Sequence, residues 1–169
     1  EDVQTTFYVD SDSDGYGQDS STQDACTQPA GYSETADDCD DTNGEIHPAA
    51  TEICDESDND CDGDIDEADA SDATIWYLDD DGDGFGDATI TETACETPSG
   101  YVLDGTDCDD ANDAVSPGSE EICDAIDNDC DGDVDDADSS LSDATTFYID
   151  YDGDGYGSDT YTSEACEVP

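Results

Sequence analysis

Two stretches of this chain carry acidic residues at alternate positions of a twelve-residue segment. The first runs from Asp58 to Asp69, with carboxylates at positions 1, 3, 5, 9 and 12, Gly63 at position 6 and Ile65 at position 8. Calcium binds six to eight oxygen atoms, and alternate residues of a tight loop point towards one centre. Glycine at position 6 permits the sharp turn that brings the carbonyl of position 7 to the ion. The spacing therefore predicts an EF-hand-type calcium loop, closed by an aspartate in place of the usual glutamate.

The same loop occurs a second time, from Asp127 to Asp138. The predicted ligands of the two copies are Asp58, Asp60, Asp62, Asp64, Asp66 and Asp69, and Asp127, Asp129, Asp131, Asp133, Asp135 and Asp138. Position 7 of each copy contributes its backbone carbonyl. An acidic, solvated turn is the alternative interpretation, but two copies with one spacing favour a metal site.

A shorter form of the pattern, which we call the opening loop, occurs three times. Carboxylates stand at positions 1, 3 and 5, glycine at 6 and an aromatic residue with its carbonyl at 7. The predicted ligands are Asp10, Asp12, Asp14 and Tyr16, then Asp79, Asp81, Asp83 and Phe85, then Asp150, Asp152, Asp154 and Tyr156. Position 12 holds no carboxylate. We therefore expect each loop to be closed by Asp24, Glu92 or Glu164, or by an acid from a neighbouring segment.

A third acidic element, Asp-Cys-Asp-Asp followed by Asn, occurs twice. Its oxygen-bearing side chains predict one further calcium site per copy, with Asp55 reaching back from behind Cys54 in the first. The predicted ligands are Asp38, Asp40 and Asn43, and Asp107, Asp109 and Asn112. No glycine marks a turn here, so an acidic loop without metal is the alternative.

The composition excludes several classes of function. The chain has 169 residues, no Lys or Arg, one His and a net charge of -53. Nucleic-acid binding begins with Lys and Arg on phosphates, so it is excluded here, and anionic membranes are disfavoured for the same reason. No stretch is apolar enough to insert into a membrane. One His and no nucleophile beside a base leave little for acid–base or covalent catalysis, so we expect no enzyme.

Internal repetition sets the domain organisation. Phe7-Tyr8-Val9-Asp10 recurs 69 residues later with Trp76 in place of the phenylalanine, and 71 residues after that from Phe147. The cysteine spacings 13, 15 and 7 recur unchanged from Cys26 and from Cys95. We therefore predict repeat 1 at residues 5–73, repeat 2 at 74–144 and the beginning of repeat 3 at 145–169.

Regular secondary structure should be sparse. Apolar and β-branched runs predict one short strand per repeat at residues 5–9, 74–78 and 145–149, with partner strands near Tyr32 and Tyr101. Few residues can form an apolar core, so disulfides and metals must stabilise the fold. The fold class we predict is a small, irregular all-β fold. In it, tandem repeats of about 70 residues form calcium-bound, Asp-rich loops stapled by disulfides into an elongated rod.

These motifs carry a family resemblance. Asp-Cys-Asp-Asp, then Pro48 or Pro117, then Glu-Ile-Cys-Asp and Asp-Asn-Asp-Cys-Asp-Gly-Asp resemble the metal-binding repeat of MopE-type bacterial surface proteins. The Asp-x-Asp-x-Asp-Gly units with interleaved cysteines are also similar to thrombospondin type 3 repeats. The resemblance implies a secreted or surface protein whose loops bind rows of calcium ions. Copper, for which the MopE family is partly named, prefers imidazole and sulfur ligands, and this chain has His47 as its one imidazole and no Met.

Cysteine spacing alone leaves the disulfide pairing open, because four cysteines allow three connectivities. The thrombospondin-like pattern favours nearest-neighbour bridges, Cys26–Cys39 and Cys54–Cys61, with the equivalent pairs in repeat 2. This pairing would leave Cys166 without a partner.

The function we predict is an extracellular calcium-binding structural repeat protein, secreted or on the cell surface, that forms a rigid stalk or filament. A calcium-dependent adhesin or a surface copper-binding protein is the alternative. The partners we expect are further repeats, through end-to-end self-association or as part of a longer chain. Exposed aromatic residues at Tyr16, Phe85 and Tyr156 would favour adhesion, and covered ones a scaffold.

Overall fold

The computed structural model describes residues 4–169, and its regular structure is limited to short strands and one 3₁₀ turn. The elements are β1 (Thr5–Val9), β2 (Gln18–Ala25), β3 (Tyr32–Ser33), β4 (Thr74–Leu78), β5 (Asp87–Ala94), β6 (Tyr101–Val102), η1 (Asp135–Ala137), β7 (Thr145–Tyr148) and β8 (Thr162–Ala165). The predicted class, an irregular fold with short strands only, is confirmed. Within the described residues, no helix is long and apolar enough to cross a membrane.

Each repeat builds a small antiparallel sheet on its aromatic strand. The strand order is β2-β1-β3 in repeat 1 and β5-β4-β6 in repeat 2, and β7 pairs with β8 in repeat 3. Thr5 pairs with Ala25, and Tyr8 pairs with Ser33 on the other side of β1. Each opening loop is thus the connection of a β-hairpin. This placement fixes both ends of the loop and brings its carboxylates beside the segment that follows the third strand.

The second strand of each hairpin was missed by the sequence prediction. β2 reads Gln-Asp-Ser-Ser-Thr-Gln-Asp-Ala, and all but its last residue are exposed. No alternation of apolar and polar residues marks such a strand, because neither of its faces is buried. Its pairing is imposed by β1 and by the loop between them.

Contacts between Cα atoms divide the chain into two units. One unit contains the residues up to Thr74 together with Thr93–Glu96, and the other contains Ile75–Glu92 and Thr97–Pro169. The first division falls between Thr74 and Ile75, at the beginning of β4. Repeat 3 has no unit of its own and belongs to the second.

The buried residues are mostly polar. Phe7 and Val115 are almost fully buried, but so are Ser33, Glu52 and Glu121. A buried carboxylate is costly unless hydrogen bonds or a cation satisfy it. With no Lys or Arg in the chain, backbone N–H groups, side-chain hydroxyls and amides, and a bound cation are the means that remain.

The disulfides correct the predicted pairing. Nearest-neighbour bridging is wrong, because the bonds join Cys39 to Cys61, Cys108 to Cys130, Cys54 to Cys95 and Cys123 to Cys166. Two of the bonds therefore lie within a repeat, and two link one repeat to the next. Spacing along the chain could not reveal this, because the turns bring residues 22 or more positions apart into contact.

Cys166 was expected to lack a partner, and this expectation is also wrong, because Cys123 is bonded to it. The one free thiol among the described residues belongs to Cys26, which is exposed. Cys26 occupies the repeat position that Cys95 and Cys166 occupy in the later repeats. In those repeats, this position bonds to the third cysteine of the repeat before.

Candidate metal centres

The opening loop of repeat 1 brings together carboxylates from two segments. Asp12 and Asp14 lie between β1 and β2, and Asp38 lies after β3. One oxygen from each carboxylate lies within 4.8 Å of the others. Oδ1 of each accepts a backbone N–H, from Asp14, Tyr16 and Asp40 respectively. Oδ2 of each is buried without a hydrogen-bond partner, which is the arrangement expected of ligands for a hard cation.

Repeat 2 has the same arrangement, atom for atom. Oδ1 of Asp81 accepts the N–H of Asp83 at 3.2 Å, and Oδ1 of Asp83 accepts that of Phe85 at 2.9 Å. Oδ1 of Asp107 accepts the N–H of Asp109 at 2.8 Å. The Oδ2 atoms of Asp81, Asp83 and Asp107 are again buried and unpartnered. In repeats 1 and 2, the acid beside the opening loop therefore comes from the Asp-Cys-Asp-Asp element, the neighbouring segment that the sequence left unspecified.

The electrostatics of these clusters favour a cation. Burial raises the pKa of Asp38, and the negative charges of Asp14, Asp12 and Asp41 raise it further against the opposing effect of a backbone hydrogen bond. Burial also raises the pKa of Asp12, Asp81 and Asp107, with neighbouring carboxylates adding to each rise. The chain supplies no Lys or Arg to relieve this repulsion. A bound divalent cation would relieve it directly.

Local backbone chemistry shapes the opening loop. Gly15 and Gly84 both have φ of +100°, a conformation that glycine adopts without strain. A Cβ atom on Gly17 would lie 2.6 Å from the carbonyl oxygen of Val9, so glycine is also required where the loop rejoins β2. The Asp side chains that accept N–H groups two residues on form Asx turns, which wind the backbone around the carboxylates.

Two further carboxylates lie beside the cluster in repeat 1. One belongs to Asp10, the first residue of the opening loop, and the other to Asp41, the last residue of the Asp-Cys-Asp-Asp element. Asp10, Asp12 and Asp41 form a further group with oxygens within 4.8 Å of one another. Asp41 accepts both the N–H and the hydroxyl of Ser11 at 2.7 Å. Its counterpart in repeat 2, Asp110, accepts the N–H of Asp80 at 3.0 Å. Asp41 and Asp110 were missed as site residues, although their position beside the predicted ligands was a usable signal.

The EF-type loop of repeat 1 also gathers its carboxylates. Asp60, Asp62 and Glu67 offer oxygens within 4.8 Å of one another, and Asp58 and Asp60 form an overlapping group with Glu52. Oδ1 of Asp58 and Oε2 of Glu67 are buried and unpartnered. The structure thus brings position 10 of the loop, Glu67, into the cluster, although Glu67 was not among the predicted ligands.

The remaining predicted ligands of this loop lie elsewhere. Asp66 accepts the N–H groups of Asp55 and Glu56 at 2.9 and 3.0 Å. Asp64 and Asp69 have exposed side chains.

The EF-type loop of repeat 2 differs at its end. Asp127 accepts the N–H of Gly132 at 3.0 Å through Oδ2, as Asp58 does from Gly63, and Asp131 accepts that of Asp133. Oδ2 of Asp138, at position 12, is buried and unpartnered. Asp129 accepts the Ser140 hydroxyl at 3.1 Å and Asp135 the N–H of Ala125 at 3.0 Å.

Two buried glutamates organise these loops, and sequence reasoning missed both. Glu52 accepts N–H groups from Asn59, Asp60 and Asp66, so it holds both arms of the EF-type loop. Glu121, which is fully buried, accepts N–H groups from Asn128 and Asp135 at 2.8 Å. The recurrence of Glu-Ile-Cys-Asp six residues before each loop was the available signal.

Other predicted ligands are engaged in local turns. Asp40 accepts the Thr42 hydroxyl at 2.6 Å, and Asn43 accepts the N–H of Glu45. Asn112 likewise accepts the N–H of Ala114, and Asp109 lies with Asp87 and Asp107 around a shallow surface depression. Asp24, one of the candidate closing residues, accepts the Thr6 hydroxyl at 2.7 Å.

The opening loop of repeat 3 shares two internal hydrogen bonds with the other two. Asp150 accepts N–H groups from Gly153 and Gly155 at 2.7 and 2.9 Å, which lower its pKa. Asp154 accepts the N–H of Tyr156 at 2.9 Å. Asp152 and Asp154 line an open cleft together with Tyr156.

Comparison with known families agrees with this geometry. The family model Cu-binding MopE, described as "Putative metal-binding motif", matches residues 38–67 and again residues 107–136. The chain carries the MopE-type motif twice. No curated protein and no solved structure matched the chain.

Each copy of the MopE-type motif begins on the acid that closes an opening loop, Asp38 or Asp107. It ends within the EF-type loop, at Glu67 or Asp136. The disulfide Cys39–Cys61 or Cys108–Cys130 joins the two ends of the motif. The motif is therefore the segment that connects the two candidate metal centres of a repeat.

Proposed function

We propose that this chain is an extracellular calcium-binding structural repeat protein that serves as a rigid stalk or filament segment. The observation that carries the proposal recurs in two repeats: Asp12, Asp14 and Asp38, and likewise Asp81, Asp83 and Asp107, each have an Oδ2 atom that is buried without a hydrogen-bond partner. An all-oxygen set of carboxylates suits a hard cation such as calcium. Burial and, after it, the charges of neighbouring carboxylates raise the pKa of Asp38 and Asp107, and a calcium ion would offset both effects.

Copper receives less support than calcium. His47 is the one imidazole in the chain. Its Nδ1 accepts the N–H of Ala49 at 3.1 Å, and its ring stacks on Tyr16 with 4.8 Å between ring centroids. Repeat 2 has Ser116 at this position, so a histidine-based site could not recur between repeats.

The structural role, rather than adhesion, is supported by the covered aromatic residues of the first two repeats. Tyr16 is half-buried under His47, and the half-buried Phe85 lies beside Gly118. Disulfides that link successive repeats, Cys54–Cys95 and Cys123–Cys166, would keep tandem repeats from separating under load. They also favour an oxidising, extracellular setting. Trypsin would find no Lys or Arg to cleave after.

Metal analysis tests the proposal. We expect the purified protein to bind at least four calcium ions per chain in millimolar calcium, one for each opening loop and EF-type loop of the two full repeats. Equilibrium dialysis against calcium, with parallel dialysis against copper and zinc, gives the numbers. One copper per repeat with little calcium would contradict the proposal.

A further inference from the structure

The chain makes the same turn after the Asp-Cys-Asp-Asp element of repeats 1 and 2. In repeat 1, the N–H of Asn43 donates to the carbonyl oxygen three residues before it at 2.9 Å, and its own carbonyl oxygen accepts the N–H three residues after it at 2.8 Å. Asn112 makes the same two bonds in repeat 2, at 2.9 and 2.8 Å. We call residues 40–46 and 109–115 the asparagine turns.

The two asparagine turns differ in the residue that follows the asparagine. This residue is Gly44 in repeat 1 and Asp113 in repeat 2, and Asn43-Gly44 is the one Asn-Gly pair in the chain. Both Asn43 and Gly44 are exposed. Because glycine has no Cβ atom, its backbone nitrogen can approach the preceding side-chain amide without steric hindrance.

The hydrogen bonds of the turn favour such an approach. Among the residues that the structure describes, none accepts a hydrogen bond from the Gly44 N–H. By contrast, the N–H groups of Gly63 and Gly132 in the EF-type loops donate to the first aspartate of their loop at 3.1 and 3.0 Å.

The side chain of Asn43 is held in an Asx turn, because its Oδ1 accepts the N–H of Glu45 at 3.3 Å. This bond folds the side chain over the Gly44 peptide and withdraws electrons from the Cγ atom of Asn43. Asn112 makes the equivalent bond at 3.4 Å. The turns therefore prepare both asparagine amides for attack, but only in repeat 1 is the following residue a glycine.

We infer that Asn43-Gly44 is a site of spontaneous modification, at which the Gly44 nitrogen displaces the side-chain amide of Asn43 as ammonia. The Gly44 nitrogen forms a bond to Cγ, the bond from Cγ to Nδ2 breaks, and the proton lost from the Gly44 nitrogen leaves with the ammonia. A five-membered succinimide ring remains. Water then opens the ring at either carbonyl and gives aspartate or isoaspartate. Water is the only co-reactant.

The modified residue lies beside the opening loop of repeat 1. A Cβ atom on Gly44 would lie 3.4 Å from Asp14 Cβ and 3.8 Å from Asp12 Cγ, so the Gly44 backbone is next to two of the clustered carboxylates. Isoaspartate adds one carbon to the main chain and one negative charge at this contact. It therefore displaces the asparagine turn from the loop and weakens calcium binding there. This consequence rests on the proposed calcium function, whereas the modification itself does not.

Ageing of the folded protein tests the modification. The protein is incubated in calcium at pH 6 and pH 8, and conversion of each asparagine is mapped by mass spectrometry. Isoaspartate is counted with an isoaspartate methyltransferase. We expect Asn43 to convert faster at pH 8, because the attacking nitrogen must lose its proton. Asn112, the internal control, should convert at least tenfold more slowly.

Two substitutions exchange the properties of the two turns. Gly44→Ala should slow the conversion of Asn43 at least tenfold, and its Cβ atom fits, because the nearest atom would be 3.4 Å away. Asp113→Gly should make Asn112 a second site. The inference would be overturned by equal conversion of Asn43 and Asn112, by conversion that Gly44→Ala does not slow, by an Asp113→Gly variant in which Asn112 stays intact, or by conversion of Asn43 only after reduction and denaturation.

The effect on the metal site is measured on the unmodified and isoaspartate forms, separated by ion exchange. His47 is the one imidazole and stacks on Tyr16 of the opening loop, so its ring protons report calcium binding in repeat 1 by NMR. Trp76, the single tryptophan, reports repeat 2 by fluorescence. We expect the isoaspartate form to need at least threefold more calcium for the half-maximal change at His47, with the change at Trp76 unaltered.

An unchanged calcium midpoint at His47 would overturn the effect of the modification on the metal site. Absence of any calcium response at His47 and Trp76 in the unmodified protein would instead contradict the proposed calcium function. In that case, the mass spectrometry of the aged protein still decides whether Asn43 is modified.

Discussion

At the scale of single residues, the two oxygen atoms of each clustered carboxylate have different roles. One oxygen of Asp12, Asp14 or Asp38 accepts a backbone N–H and thereby shapes the loop, while the other oxygen is left for a cation. The same side chain therefore both folds the site and forms it. This explains how a loop with few apolar contacts can have a defined shape. The hydrogen bond from a backbone N–H to a charged carboxylate stabilises the loop conformation more than a bond between neutral groups would.

Asp38→Asn should weaken calcium binding at the opening loop of repeat 1 by about tenfold or more, because it removes one charge from a buried cluster of three carboxylates. Isothermal titration calorimetry with calcium would measure the loss of affinity. Asp40→Asn is the matched control, because the Asp40 side chain accepts the Thr42 hydroxyl. Equal losses in the two variants would contradict the assignment of Asp38 as the closing acid.

Glu121→Gln should destabilise repeat 2 by about 2 kcal/mol, because charged hydrogen bonds to the N–H groups of Asn128 and Asp135 are weakened in a fully buried site. Thermal unfolding in saturating calcium would measure this. The neighbouring Glu120 is exposed, so Glu120→Gln should change the stability little. A stability loss in both variants would point to net charge rather than to the buried hydrogen bonds.

At the scale of elements, each hairpin holds the two ends of one opening loop. The strands β1, β4 and β7 are recognisable in the sequence by their aromatic and apolar residues. The polar strands β2, β5 and β8 are not, and each forms by pairing with one of them. The segments after β3 and β6 then return to the loop and close it. The cross-repeat disulfides begin where the second strands end, at Cys95 and Cys166, so each hairpin is also the attachment point for the repeat before it.

The disulfide pattern predicts that one thiol per chain reacts with a maleimide reagent without prior reduction, and that this thiol is Cys26. Peptide mapping of the labelled protein would identify it. Labelling at Cys166, or a peptide linking Cys26 to Cys39, would instead support nearest-neighbour pairing.

At the scale of the whole molecule, stability must depend on metal to an unusual degree. The net charge is -53, and the apolar residues buried in the described part of the chain are few. Removing calcium should therefore expand the chain at neutral pH while its disulfides remain intact. Small-angle scattering in calcium and in chelator would measure the change. Equal dimensions in both would show that the disulfides and apolar contacts suffice.

Acidification should change the stability of the calcium-free and of the calcium-loaded protein in opposite directions. In calcium-free protein, burial raises the pKa of Asp12, Asp38, Asp81 and Asp107, so the folded chain binds protons more tightly than the unfolded chain. Its stability should rise as the pH falls from 7 towards 4, and should be lost as the pH rises through the raised pKa values. The lowered pKa values of Asp87 and Asp150 oppose this trend, but they are fewer.

Calcium-loaded protein should instead lose stability on acidification, because protons compete with the metal for the same oxygens. Thermal unfolding at pH 7 and pH 4.5 would show the direction of change for the calcium-loaded form and for the form from which calcium has been removed by chelation and desalting. The same direction of change in both forms would contradict a role for these carboxylates as ligands.

Much of this protein was determined by sequence alone. The period of the aromatic strands, the cysteine spacing and the Asp-x-Asp-x-Asp-Gly runs set the repeats, the short strands and the metal-binding character. These signals are local, because a ligand run such as Asp10, Asp12 and Asp14 lies within one turn of chain. The predicted bounds of β1 and β4 therefore agree with the structure.

Only the tertiary structure decided which distant groups meet. Asp38 closes a loop that begins 28 residues earlier, Glu52 holds both arms of the EF-type loop, and Cys54 bonds to Cys95 in the next repeat. The chain offers 53 acids and nine cysteines, so composition gave many equivalent candidates for each role. The selection depends on where the hairpins return the chain, and that path is fixed by backbone hydrogen bonds and strand pairing rather than by any pattern along the sequence.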